Sequence, residues 1–287
     1  MTSLQPVDIS TRLGRLRVMV GGSGPVILFW PSLLMSSSMW AAQAEHFGDR
    51  FQVILVDPPG HGDSEALLRT FTFEECADCV RDILDGLDVP RAHFVGNSWG
   101  GMIGGTFAAR YPDRVGASVL MNCTGSAAGL QQKLEYAVLV RLVRTLGGIP
   151  PWMSFLPVRA FAGPTSERER PDVIRTIRNA VARVNGHSVH WAIRSVVPMR
   201  PSQLALFGTI HSPILVLAGA EDRTFAVEET RTMADAIPGA EFRVLEHVAH
   251  LAGLESPAVI NVLIDDFIRR AGSVGPAHDI HPTRDFP

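Results

Sequence analysis

Five residues constrain this chain more than any others. They are Gly96-Asn97-Ser98-Trp99-Gly100, preceded by the apolar run His93-Phe94-Val95 and followed by Gly101-Met102-Ile103-Gly104-Gly105. A strand that ends here, turns sharply and becomes a helix lifts one serine oxygen out of the backbone. Gly96 and Gly100 leave room for that turn, because a Cβ at either position would crowd the adjoining strand or helix. The N–H of Trp99, at the helix start, then points where charge would develop on an attacked carbonyl. In a chain with 26 glycines the pentapeptide alone could arise by chance. The strand before it and the glycine-rich helix after it make Ser98 the candidate nucleophile.

The flanking sequence has the rhythm that such a turn needs. Arg15 to Val20, Pro25 to Trp30, Phe51 to Val56, Val115 to Met121, Pro213 to Ala218 and Glu241 to Leu245 read as short strands, several apolar throughout. Continuous apolar runs are expected of strands buried on both faces. Thr72 and Glu75 form a capping-box pair, after which Phe73, Cys76, Ala77, Val80, Ile83, Leu84 and Leu87 recur at helical spacing. Ser256 and Pro257 open a final helix. Strands alternating with helices predict an α/β fold with a mostly parallel sheet covered on both faces.

From Cys123 to Leu206 no clear strand is present. Leu134, Val138, Leu142 and Leu146 keep helical spacing among arginines, and Pro150-Pro151, Pro157 and Gly163-Pro164 punctuate the segment. The expected organisation is a core of residues 1–122 and 207–271, a helical lid at 123–206, and a loose tail at 272–287.

Composition excludes several alternatives. A net charge of −3 gives no footprint for nucleic acid or an anionic membrane. Lys133 is the one lysine, so a Walker-type G-K-[S/T] loop is absent and Schiff-base chemistry has little to work with. No G-x-G-x-x-G follows the first strands and no H-E-x-x-H occurs, so neither a dinucleotide cofactor nor a metal is expected. The first sixteen residues lack a signal-peptide core, no run approaches a membrane span, and three cysteines are an odd number. A cytoplasmic protein is expected, with Cys76 and Cys79 as core residues of one helix.

A serine nucleophile needs a base, and the base needs a group to fix its tautomer. In open α/β sheets such groups sit at the C-terminal ends of strands. Asp222 follows the Pro213–Ala218 strand, with Glu221 as its competitor. His250 follows the Glu241–Leu245 strand, with His247 three residues earlier. The order Ser98, Asp222, His250 is the one this nucleophile turn takes. His61 reads as a turn-stabilising residue, and His187 and His190 as lid residues. The second oxyanion donor should come from the loop after Pro25–Trp30, with Leu33 N–H preferred and Ser32 the fallback.

These residues together resemble the α/β-hydrolase superfamily, and within it 3-oxoadipate enol-lactonases and related esterases. The likeness rests on Asp57-Pro58-Pro59-Gly60-His61-Gly62-Asp63-Ser64, Gly96-Asn97-Ser98-Trp99-Gly100-Gly101-Met102, Ala218-Gly219-Ala220-Glu221-Asp222, and Ala249-His250-Leu251 followed by Glu255-Ser256-Pro257. The loop Pro31-Ser32-Leu33 looks like the Asn-Ser-Leu oxyanion loop of those lactonases. The resemblance implies an eight-stranded, mostly parallel sheet, a helical lid and no cofactor. Two departures stand out: most of the superfamily carries His-Gly near Trp30-Pro31-Ser32, and the lid does not match the lactonase lid. Asn97 is also similar to the residue before the serine in carbon–carbon bond hydrolases of aromatic degradation.

The expected activity is that of a cofactor-independent serine hydrolase acting on a small-molecule carboxylic ester or lactone. Ser98, Asp222 and His250 would be catalytic, and the N–H groups of Leu33 and Trp99 would hold the oxyanion. Ser32, Trp152 and Trp191 are candidate substrate contacts. The lid's apolar stock (Leu134, Val138, Leu142, Trp152, Met153, Phe155, Trp191, Met199) suggests a substrate with an apolar part. Arg141, Arg144 and Arg194 read as solvated lid charge. Carbon–carbon hydrolysis by the same residues, and a low-turnover ligand-binding protein of this fold, are the alternatives; a homo-oligomer is compatible with the sequence.

Overall fold

The apolar runs become the central strands of a single sheet. The computed structural model describes residues 3–272. Its strands are β1 (Gln5–Thr11), β2 (Gly14–Gly21), β3 (Val26–Trp30), β4 (Gln52–Val56), β5 (Ala92–Asn97), β6 (Val115–Met121), β7 (Ile214–Gly219) and β8 (Glu241–Leu245). They lie in the order β1-β2-β4-β3-β5-β6-β7-β8. β1 pairs antiparallel with β2 and β2 with β4; every other pairing is parallel. The α/β-hydrolase fold class expected from the sequence is what the chain adopts.

The helices are α1 (Ala41–Phe47), α2 (Phe73–Gly86), α3 (Trp99–Arg110), α4 (Leu130–Leu146), α5 (Phe155–Phe161), α6 (Pro164–Glu169), α7 (Pro171–Ala182), α8 (Gly186–Val196), α9 (Leu204–Phe207), α10 (Val227–Asp235), α11 (Ala252–Glu255) and α12 (Pro257–Gly272). Successive strand residues serve opposite faces. Leu28 and Trp30 of β3 and Val216 of β7 join a core with α2, α3 and α10, through Val80, Ile83, Met102, Phe107 and Met233. Ile27, Phe29, Leu215 and Leu217 join the other core, with Trp40, Phe47, Ile260, Ile264 and Phe267 from the α1 and α12 side. Each such side chain is worth about 1.5–3 kcal/mol when fully buried. These cores clamp the sheet between helices, so the loops at the strand ends are placed by rigid neighbours.

Thr72 caps α2 as expected. Its hydroxyl accepts from Glu75 N–H at 3.2 Å, and the Glu75 carboxylate accepts from Thr72 N–H at 3.0 Å. Cys76, Cys79 and Cys123 are free and buried; burial pushes the Cys79 thiol up to about 12. Between β6 and β7 the chain is helical, α4 to α9. α9 spans the expected junction at 206/207, and its Phe207 is fully buried against Gly105 of α3. Gly272, expected to begin the tail, closes α12; residues 273–287 lie outside the described residues. Among the described residues no helix is long and apolar enough to cross a membrane.

Candidate active site

Ser98 stands between β5 and α3 with φ 57° and ψ −116°. A non-glycine residue held there stores about 1–3 kcal/mol of strain, which its surroundings must overcome. They do so through the Ser98 N–H, which donates to Met121 O at 2.7 Å, and its carbonyl, which accepts from Met102 N–H at 3.1 Å. The two glycines are required by contact. A Cβ on Gly96 would meet Gly100 O at 2.2 Å, and one on Gly100 would meet Trp30 O at 2.1 Å.

Asp222 and His250 come together from the turns after β7 and β8. The His250 Nδ1 lies 2.9 Å and 3.1 Å from the two carboxylate oxygens of Asp222. One of those oxygens also accepts from Thr224 N–H at 2.7 Å and Phe225 N–H at 3.2 Å. Both side chains are 1% exposed. With Nδ1 committed to the carboxylate, Nε2 is the imidazole's free nitrogen. The ring stacks on Phe161 of α5 at 5.3 Å and meets the tilted ring of Phe225 at 5.7 Å.

The competitors are otherwise engaged. Glu221 accepts from the Thr165 hydroxyl at 2.6 Å and the Thr165 N–H at 2.9 Å. Burial opposes its charge, but these bonds keep its carboxyl below the usual range. His247 is 75% exposed, with its nearest carboxylate, Glu221, at 3.9 Å. His61 donates from Nδ1 to Pro59 O at 3.0 Å in the tautomer that lets Nε2 accept from Leu34 N–H at 3.1 Å. Burial pulls its pKa down to about 4, so it stays neutral and braces the loop. Asp57 fixes the same region, accepting from Ser37 N–H and Asp63 N–H, each at 2.8 Å.

Ser98, His250 and Leu33 face one cavity of about 380 Å³ under the lid. Its walls are mostly apolar, with Leu139, Val143, Met153, Phe161, Ile193 and Val196 among them. His61 takes the Leu34 N–H, whereas among the described residues nothing accepts from the N–H of Leu33, which lines the cavity. Trp99 opens α3, so its N–H has no acceptor within the helix.

Three expected substrate contacts do not reach this cavity. Ser32 is buried beside it, its hydroxyl accepting from Asn97 Nδ2 at 2.9 Å and donating to Asn97 O at 3.3 Å. Trp152 is 67% exposed on the lid surface. Trp191 lines a different cleft, with Arg141, Arg144, Arg194 and His190. Of the lid's apolar stock only Met153 lines the Ser98 cavity; Leu134, Val138, Leu142, Phe155 and Met199 are exposed instead. Helical spacing identifies α4, but apolar residues on both of its faces leave the inward one undetermined by sequence.

Sequence reasoning gives no role to four residues that shape the site. Asn122 accepts from Gly219 N–H at 2.7 Å and donates to Ala249 O and His250 O at 2.8 and 2.9 Å. Asn97 Nδ2 also donates to His250 O, at 2.7 Å. Glu255 accepts from Ala249 N–H at 3.1 Å and Leu251 N–H at 2.9 Å, gripping the backbone on both sides of His250. Burial raises its pKa against those bonds and the Ser166 hydroxyl bond. Arg200 lines the cavity, 3% exposed. It donates to Ser126 O at 2.9 Å and Gln132 Oε1 at 3.3 Å and makes no ion pair among the described residues. Burial pulls its pKa down. Asn122 has a signal in the sequence, a polar residue immediately after an apolar strand; Arg200 has none.

A strained serine and a carboxylate-bound histidine facing one pocket agree with the family comparison. Residues 25–257 match the model of the alpha/beta hydrolase fold. The chain belongs to that family. It is a hydrolase similar to 3-oxoadipate enol-lactonase 2 of Acinetobacter baylyi, 27% identical over 86% of this chain and 89% of the relative. It is 29% identical to a 2-hydroxy-6-oxononadienedioate/2-hydroxy-6-oxononatrienedioate hydrolase of Paraburkholderia phymatum, over 88% and 86% of the two chains. Among solved structures, a malate-bound thermophilic esterase from Thermogutta terrifontis matches this hydrolase with TM-score 0.85 and 26% identity, covering 93% of this chain and 99% of the esterase.

Proposed function

We propose that this hydrolase cleaves a carboxylic ester or lactone by a cofactor-independent serine mechanism. The observation that carries the reading is the His250–Asp222 bond at 2.9 Å, with His250 and the strained Ser98 facing one cavity. His250 Nε2 takes the Ser98 proton as Ser98 Oγ attacks the carbonyl, and Asp222 stabilises the imidazolium. The N–H groups of Leu33 and Trp99 hold the oxyanion, one such donor being worth roughly 3–4 kcal/mol. His250 returns its proton to the leaving alkoxide, then activates the water that releases the acid from Ser98. The buried, unpaired Arg200 supports a substrate carrying an anionic group, in keeping with the dioate named for one relative.

The test is hydrolysis of 4-nitrophenyl esters and simple lactones by the wild type and by Ser98→Ala. Wild-type turnover that falls by at least about a thousandfold in the variant supports the mechanism. Equal background rates in both overturn it for these substrates. The similarity to the Paraburkholderia hydrolase favours one second reading, carbon–carbon hydrolysis of a ring-cleavage diketone by the same residues. Bleaching of a coloured diketone without ester activity selects it, and ligand retention without turnover of either selects a binding role.

A further inference from the structure

The lid helix α4 turns one face to the cavity and leaves the other exposed among the described residues. Tyr136, Leu139 and Val143 point inward and line the cavity. On the opposite side Gln131, Leu134, Val138, Arg141, Leu142 and Thr145 are all exposed, and Glu135, exposed as well, stands at the edge where this face meets the cavity wall. Their spacing about Val138 (three, four and seven residues either way) puts them on one helix face. Val138 and Leu134 are 70% and 63% exposed, unusual for aliphatic side chains so close together.

The face is symmetric in chemistry about Val138. Leu134 is matched by Leu142, Gln131 by Thr145, and acidic Glu135 by basic Arg141. An antiparallel copy of the same helix, related by a twofold axis through Val138, sets Leu134 against Leu142, Glu135 against Arg141 and Val138 against itself. That self-complementarity is what a twofold interface requires. The cleft flanking α4 carries Arg141, Arg144 and Arg194, with no carboxylate among the residues that line it. A second copy's Glu135 would bring a carboxylate to that cleft.

We propose that two copies of this chain associate through the outer face of α4, lid against lid. One helix face per subunit is a small interface, so association in the micromolar range is expected. The pairing stands apart from the chemistry at Ser98 and needs none of it. It would fix α4 from outside while Tyr136, Leu139 and Val143 roof the cavity from inside, joining the lid's position to assembly.

Sedimentation velocity of the full chain over a concentration series tests the proposal. The wild type is expected to shift from the mass of one chain to that of two. Val138→Glu places two like charges on the axis and should weaken association at least about tenfold. Glu135→Arg and Arg141→Glu each create two repulsive pairs and should weaken it too, while the double exchange Glu135→Arg/Arg141→Glu restores it. All these side chains are exposed, so each variant should keep the wild-type melting temperature, which serves as the folding control. A wild type monomeric at every concentration overturns the proposal and leaves the face to another protein or a lipid surface. A dimer that survives Val138→Glu overturns it by placing the interface elsewhere.

Discussion

β7 buries all six of its residues, whereas α4 buries one of seventeen, Val143. The sheet is hemmed in on two sides, so almost every change there meets an atom. The lid helix touches the protein along one stripe and leaves the rest exposed. The catalytic candidates belong to the first environment and the cavity's roof to the second. A strained serine and a histidine held by a buried carboxylate need neighbours that do not yield, while a roof that admits substrate needs some freedom.

Glycine substitutions break this contrast most sharply. Gly100→Ala drives a Cβ to 2.1 Å from Trp30 O, backbone against backbone with no side chain to move aside. The expected outcome is an insoluble chain, or a melting temperature lower by at least about 10 °C, since overlaps of this kind cost several kcal/mol. Gly129, before α4, has a φ of −67°, and a Cβ added there would meet nothing within 4 Å. Gly129→Ala should therefore shift stability by no more than about 1 kcal/mol. Thermal melts of the two variants side by side decide whether the lid is as permissive as its packing implies.

The same contrast explains what the sequence can disclose. Buried strands such as Val26–Trp30 announce themselves as apolar runs, and the turn at Ser98 by its two glycines. β1, Gln5–Thr11, escapes such a reading because it is an edge strand in which only Ile9 is buried. Asp222 and His250 are legible because strand ends locate them. Glu255 is visible only as part of a resemblance, since its grip on Ala249 and Leu251 depends on how the chain returns after β8. Trp152 and Trp191 mislead because large apolar residues suggest a pocket, while lid surfaces carry them too.

A smaller effect should come from Glu255, which acts on His250 through the backbone. Glu255→Gln keeps the shape but weakens two charge-assisted bonds to N–H groups. As a positioning residue it should lower kcat roughly tenfold while KM changes less than threefold, because the imidazole rather than the cavity wall is displaced. A merely structural role would move both constants or neither. Stability gives an independent readout. Burial raises the native carboxyl above its ordinary value of 4.5, so in that window the folded chain binds more protons than the unfolded one. This group's contribution therefore falls as pH rises through the window. The stability gap between wild type and Glu255→Gln should narrow from about pH 4.5 upward, and a gap that widens would contradict the assignment.

The finest distinction concerns Arg200, which joins the two regions. It lies between α8 and α9 of the lid, is as buried as a sheet residue, and holds a positive charge against the ring of Phe225 at 5.5 Å without a carboxylate partner among the described residues. A guanidinium taken from water without an anion is costly, and an anionic substrate would offset that cost on binding. Glu135 at the cavity wall is exposed and carries the opposite sign, so the preference must come from Arg200 outweighing it. The measurement is kcat/KM for a matched pair of 4-nitrophenyl esters, one ending in a carboxylate and one in a methyl group. The wild type should favour the anionic ester, and Arg200→Met should reduce that ratio at least about tenfold, mainly through KM. Arg200→Lys should restore part of it, because the charge returns without the planar fork. A variant that slows both esters in proportion would mean that Arg200 serves only to tie Ser126 and Gln132 together. Binding of glutarate to Ser98→Ala, followed by calorimetry, separates the two ideas: retained binding keeps the anion subsite even where the serine mechanism fails.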